Sequence, residues 1–214
     1  MVNKFIVGAL LVGGSGFSGN AMSDGELSYN VSFASEYYTK GVFQKESSAS
    51  AGADYTNKGF YAGAWTADVG EGLEVDGYFG YAVETSSGFT TSLGYTGYFY
   101  TGDFDDTYQE INLNMGYNIV NLEHSFGQWD GFGDKQDYTY TALTVDLSKG
   151  FYGKYGRFDK DFEGEYFEAG YKTSISSLDV GISTIFSSKE LSNEGTNEKP
   201  KAGEALIFTI GKTF

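Results

Sequence analysis

Apolar residues alternate with polar or small ones along most of the chain. Leu73, Val75, Gly77, Phe79, Tyr81 and Val83 form one row, with Glu74, Asp76, Tyr78, Gly80, Ala82 and Glu84 between them. Phe89, Thr91, Leu93, Tyr95, Gly97 and Phe99 repeat the scheme, as do Ile111, Leu113, Met115 and Tyr117, and later Leu178, Val180, Ile182 and Phe186. A period of two puts successive side chains on opposite faces of a strand, whereas an amphipathic helix repeats at about 3.6. Counting these segments predicts twelve strands, near 26–37, 47–56, 59–67, 72–84, 88–101, 107–117, 119–129, 137–147, 150–158, 164–175, 178–187 and 204–214. Gly and Ala dilute the alternation in the second, third and ninth, so their faces stay open.

The joins alternate in length. Thr56 to Gly59, Thr85 to Gly88, Tyr117 to Ile119, Ser148 to Gly150 and Ser176 to Ser177 are tight. Thr39 to Glu46, Val69 to Glu71, Gly102 to Asp106, Asp130 to Gln136, Asp159 to Glu163 and Ser188 to Gly203 are longer. Short periplasmic turns and longer outer loops are the rhythm of a transmembrane barrel, and an even strand count returns both ends to the periplasmic side. The expected fold is all-β: a transmembrane antiparallel up-and-down barrel of twelve strands. A secreted β-sandwich or closed soluble barrel shares the alternation, with the apolar face as its core. The ordered loop lengths favour the membrane form, as do Trp and Tyr at strand ends, where they suit the headgroup level.

Both ends of the chain fit export. Leu206, Phe208, Ile210 and Phe214 share one face of the last strand. This resembles the closing strand of Gram-negative outer-membrane barrels, which implies recognition by the barrel assembly machinery through the C-terminal strand ending at Phe214. Lys4, the apolar run Phe5 to Val12 and the small residues Gly13 to Ala21 read as a signal peptide over 1–21, leaving 22–214 as the barrel. The apolar run is too short for the roughly 20 residues of a membrane-spanning helix. The expected location is the outer membrane of a Gram-negative bacterium, in contact with its lipid and lipopolysaccharide.

Composition narrows the function. The formal charge is −15, and removing residues 1–21 takes away Lys4 and no acid, giving −16. A nucleic-acid binder needs the opposite sign. No Cys is present, which excludes disulfides and thiolate metal sites, and the single Pro suits a backbone whose N–H donors are needed in a ladder. No cofactor motif stands out.

The segment Ser35-Glu36-Tyr37-Tyr38-Thr39-Lys40-Gly41-Val42-Phe43-Gln44 resembles an early block of the TorF family of porins, also catalogued as Gcw_chp. The likeness continues through Ala53 to Tyr55, Gly59 to Trp65, Glu74 to Tyr81 and Tyr95 to Tyr100. Lys40 stands where the family usually has Arg, Phe43 where a small hydroxyl residue is common, and no Pro follows Tyr100. The resemblance implies an outer-membrane channel without naming its solute.

The acids of the polar rows belong in a lumen, because an ionisable side chain on the lipid face is costly, at roughly 2–4 kcal/mol for a base at the midplane. On this reading Glu74, Asp76 and Glu110 lie with Tyr78, Tyr98 and Tyr100 around a polar constriction or a small-solute site. Asn112, Asn114, Glu168 and Lys172 line the remaining wall. Such a lining favours passive diffusion of small hydrophilic solutes, with cations preferred. The alternative is a closed barrel braced by the same groups, structural or presenting acidic outer loops to a partner. Asp103, Asp105, Asp106, Asp130, Asp134, Asp159, Asp161 and Glu163 read as a solvated acidic rim, since none matches calcium-loop spacing. An outer-membrane enzyme is the weakest reading: His124 is the only histidine, and Ser125 beside it points to the opposite face of a strand. A monomer is expected, because a closed barrel has no edge to cover.

Overall fold

The computed structural model describes residues 25–192 and 203–214. The expected signal peptide over 1–21 and residues 193–202 of the last join lie outside the described residues. Twelve strands form one closed antiparallel barrel. They are β1 (Glu26–Thr39), β2 (Val42–Asn57), β3 (Phe60–Asp68), β4 (Leu73–Glu84), β5 (Phe89–Tyr100) and β6 (Tyr108–Tyr117), then β7 (Val120–Trp129), β8 (Gln136–Asp146), β9 (Phe151–Lys160), β10 (Gly164–Ile175), β11 (Leu178–Ser187) and β12 (Glu204–Thr213). Each pairs with its neighbours in sequence, and β1 closes on β12 with Asn30 opposite Thr213 and Ala34 opposite Thr209. Phe214 adds two backbone hydrogen bonds to Tyr29, at 2.8 and 3.2 Å.

The burial pattern is inverted relative to a water-soluble domain. Leu27, Tyr29, Val31 and Phe33 of β1 point outward and are exposed, as are Phe79, Tyr81 and Val83 of β4 and Leu206, Phe208 and Ile210 of β12. Facing water, such a band would forfeit the roughly 25 cal/mol per Å² that apolar burial supplies. Facing lipid it costs nothing, and strands of about ten residues have the length that crosses a bilayer. The soluble-sandwich alternative is therefore set aside. The three open faces also resolve. Tyr61, Trp65 and Ala67 of β3 and Phe158 of β9 are buried inward, and Ser50 of β2 meets Ser32 of β1 inside the wall.

The abundance of Gly and Tyr has a local cause. Gly63 lies opposite Tyr78, Gly80 opposite Tyr61, Gly127 opposite Tyr138, Gly156 opposite Tyr166 and Gly170 opposite Tyr152. In each pair the tyrosine ring lies over the glycine; a Cβ on Gly127 would come within 2.1 Å of the Tyr138 ring. Long inward rings are folded flat against the wall where the facing residue has no side chain, which pins register and thins the lining.

The first outer join departs from expectation. Instead of a loop over Thr39 to Glu46, both strands run on until only Lys40 and Gly41 turn the chain, with φ of 49° and 88°. That pair of left-handed residues is the signature of a two-residue hairpin turn. Ser47 also has positive φ, and the β1–β2 register shifts between Tyr37 and Tyr38. These irregularities bend the hairpin, and its tip enters the barrel. A smaller correction is that Asp159 and Lys160, placed in a loop by the sequence pattern, finish β9.

Candidate functional site

The inserted tip reaches walls far from its own strands. Lys40 is 6% exposed, and its ammonium pairs with Glu110 of β6, on the far side of the barrel from β1. It also donates to the Tyr98 hydroxyl at 3.4 Å and sits 5.3 Å from the Tyr98 ring centroid and 4.9 Å from that of Tyr140. Tyr98 and Tyr138 donate to the two oxygens of the same carboxylate, at 3.0 and 2.8 Å. Tyr37 donates to Glu74 at 3.0 Å and accepts from Thr39 at 2.7 Å. Ser187 of β11 donates to the Gly41 carbonyl at 2.6 Å. Gly41 is required twice: its φ is left-handed, and a Cβ there would stand 2.5 Å from the Tyr166 ring. Tyr38 packs into a buried cluster with Tyr138, Tyr140, Phe158, Tyr166, Ile185, Leu191 and Ile207. At this level the lumen is filled.

The sequence-predicted residues all lie on inward positions, at two levels. Glu74, Asp76 and Glu110 are buried together beside the hairpin, with Glu74 opposite Tyr100, Asp76 opposite Tyr98 and Thr96 opposite Glu110. One oxygen each of Glu74 and Asp76, and the Trp65 indole N–H, have no hydrogen-bond partner among the described residues. Tyr100 packs against Phe104 and Tyr108, with centroids 5.6 and 6.3 Å away. Tyr78 leaves this group and donates to Asp54. Asn112 bridges Thr96 and Ser125 at 2.9 and 2.7 Å, and Asn114 donates to Ser92 at 3.2 Å. Glu168 accepts from Tyr152, while Lys172 lies 3.8 Å from Asp146 and over the Tyr152 ring, on another part of the wall. Sequence reasoning missed Lys40, Tyr37, Tyr138 and Tyr140 as site residues. The signal for the first two was the Lys-Gly turn set between aromatic residues, which reads as a hairpin and not as a loop.

On the long-loop side of Lys40 the lumen widens into a cavity of about 470 Å³. Tyr100, Tyr108, Tyr138, Phe158 and Phe162 supply its aromatic wall, and Asp105, Asp161, Glu163 and Glu190 its acidic groups. Burial pushes the Asp105 carboxyl up, against donors from the Asp106 N–H, Tyr108 and Trp129 that stabilise its anion. Among the described residues no group of three or more His, Asp or Glu is disposed to hold a metal ion. Ser125 donates inward to Asn112, whereas His124 is hydrogen-bonded to Thr141 at 2.8 Å with its ring edge on Phe126, so the two do not pair.

No curated protein matches the sequence. Among solved structures, the chain is similar to Acinetobacter baumannii OccAB3, at 12% identity and a TM-score of 0.42 over 91% of this chain and 66% of that one. Pseudomonas aeruginosa OccK2 (OpdF) in complex with glucuronate gives 10% and 0.40 over 91% and 61%. A BenF-like porin from Pseudomonas fluorescens gives 10% and 0.40 over 91% and 60%. The chain thus spans less than two thirds of the length of these proteins. Residues 18–156 match a family described as a bacterial protein of unknown function, Gcw_chp. That stretch holds β1 to β8, the inserted hairpin, Glu74, Asp76 and Glu110. By this match, over well more than half its length, the chain belongs to the Gcw_chp family.

Proposed function

We propose that this protein is an outer-membrane porin of the TorF kind, passing small hydrophilic solutes along a lumen that the β1–β2 hairpin constricts. One observation carries the reading. The outward band is apolar and exposed, whereas the inward face toward the tight turns carries paired but incompletely buried polar groups such as Asn30, Asp54, Asn114, Lys154 and Glu123. An interior of that character is wetted and serves a solute path, while a solid core would be apolar. Cation preference is part of the proposal, since among the described residues Glu74, Asp76 and Glu110 face one nearby base, Lys40. The test is single-channel recording of the folded protein in planar bilayers, with reversal potentials in a salt gradient. Small, cation-selective currents are expected. Absence of current in both the wild type and a hairpin-shortened variant would overturn the channel reading.

A second reading has its own support. Tyr140, Glu74 and Glu110 are almost wholly buried, as in a barrel that is closed at rest. The two readings separate on whether the hairpin moves.

A further inference from the structure

Lys40 is an ammonium ion held in a cage that the barrel wall supplies. The wall provides the Glu110 carboxylate, the ring faces of Tyr98 and Tyr140, and the Tyr138 hydroxyl that orients the carboxylate. All four come from β5, β6 and β8, and the hairpin contributes only the cation. A carboxylate flanked by electron-rich rings is the set that recognises an organic ammonium: the charge-assisted bond fixes the head, and the ring quadrupoles attract the remaining positive surface. The cage opens on the cavity of about 470 Å³, whose walls include Tyr108, Phe158 and Phe162. That space takes an apolar body, and Asp161, Glu163 and Glu190 around it repel anions.

We propose that this cage is a binding site for the primary ammonium group of a small organic amine, with Lys40 as its tethered occupant. An amine arriving through the cavity exchanges with the Lys40 ammonium and frees that side chain, while the Ser187 bond to Gly41 and the packing of Tyr38 still hold the turn. The exchange conserves charge, because Glu110 trades one ammonium for another and is never left buried and unpaired. Released Lys40 finds counter-charges at Asp161, Glu163 and Glu190. The passage of the amine onward rests on the channel reading; its binding to the cage does not.

Lys40→Ala removes the atoms from Cγ to Nζ, so n-propylammonium is the matching probe. Calorimetry on the folded, detergent-solubilised barrel should show propylammonium binding Lys40→Ala at least about tenfold more tightly than wild type, because the tethered competitor is present at a local concentration in the millimolar range or above. Adding Glu110→Gln to that variant should cost tenfold or more, and propionate should not bind. Equal affinity for wild type and Lys40→Ala, or binding that survives Glu110→Gln, would overturn the site. Lys40→Gly, which suits the φ of 49°, repeats the test should the alanine variant fail to fold. The wild type gives a further measurement, since saturating propylammonium should shift the Tyr98 and Tyr140 ring resonances while propionate leaves them in place; no shift counts against the site. Amine binding without conductance in bilayers keeps the site and removes the channel. Conductance without amine binding removes the site alone.

Discussion

The two halves of the lumen handle polar groups inside a barrel in opposite ways. Toward the tight turns the partners sit on neighbouring strands or one strand apart: Ser32 with Ser50, Asn114 with Ser92 and Asn112 with Thr96 on adjacent strands, and Lys154 of β9 with Glu123 of β7. Such pairs brace the wall without crossing the lumen. Toward the long loops the partners cross the lumen. Lys40 of the β1–β2 turn meets Glu110 of β6, Tyr37 of β1 meets Glu74 of β4, and Ser187 of β11 holds Gly41. Cross-lumen contacts occupy the middle. The hairpin tip and the wall side chains packed around it, Tyr138, Tyr140 and Tyr166 among them, fill the lumen together, and the two can be altered separately.

The largest effect should come from removing the hairpin tip. Joining Glu36 to Lys45 through Asn-Gly should raise single-channel conductance on the order of tenfold, because the narrowest point of a pore governs its current. Unchanged conductance would erase the contrast between the halves. Next is Glu110→Gln, which strands the Lys40 ammonium in a buried site. It should cost about 3–5 kcal/mol in urea unfolding from lipid vesicles, the range for breaking one partner of a buried ion pair. Gly41→Ala forces a side chain into a left-handed turn against Tyr166 and should cost at least about 1–2 kcal/mol in the same assay. In the other half, Ser32→Ala should stay within about 0.5 kcal/mol, because water can serve Ser50 in its place. A large loss there would mean that the lower half is packed as tightly as the upper.

The strand order was legible because each strand carries its own alternation, and one face must meet lipid while the other meets the lumen. Phe79 and Glu74 could be assigned without any knowledge of the rest of the barrel. The acids Glu74, Asp76 and Glu110 were legible as inward-facing because they fall on the polar rows of β4 and β6, two strands separated by one hairpin; that they share a level came from the structure. Lys40 was not. Its role depends on a bend at Ser47 and on a register shift between Tyr37 and Tyr38, and local alternation does not report such irregularities. The residues it meets lie 58 and 70 positions away in sequence. Likewise Asn114, Glu168 and Lys172 share the inward face but sit at another level, because a period of two gives the face and says little about height within the barrel.

The central claim, that the β1–β2 hairpin tip lies inside the barrel, is most directly tested by nuclear Overhauser contacts in the folded protein labelled at Lys and Tyr. Cross-peaks between the Lys40 side chain and the Tyr98 and Tyr140 rings are expected, at the separations of 5.3 and 4.9 Å from Nζ to the ring centroids. A Lys40 side chain that shows contacts only to water, with no cross-peak to either ring, would contradict it.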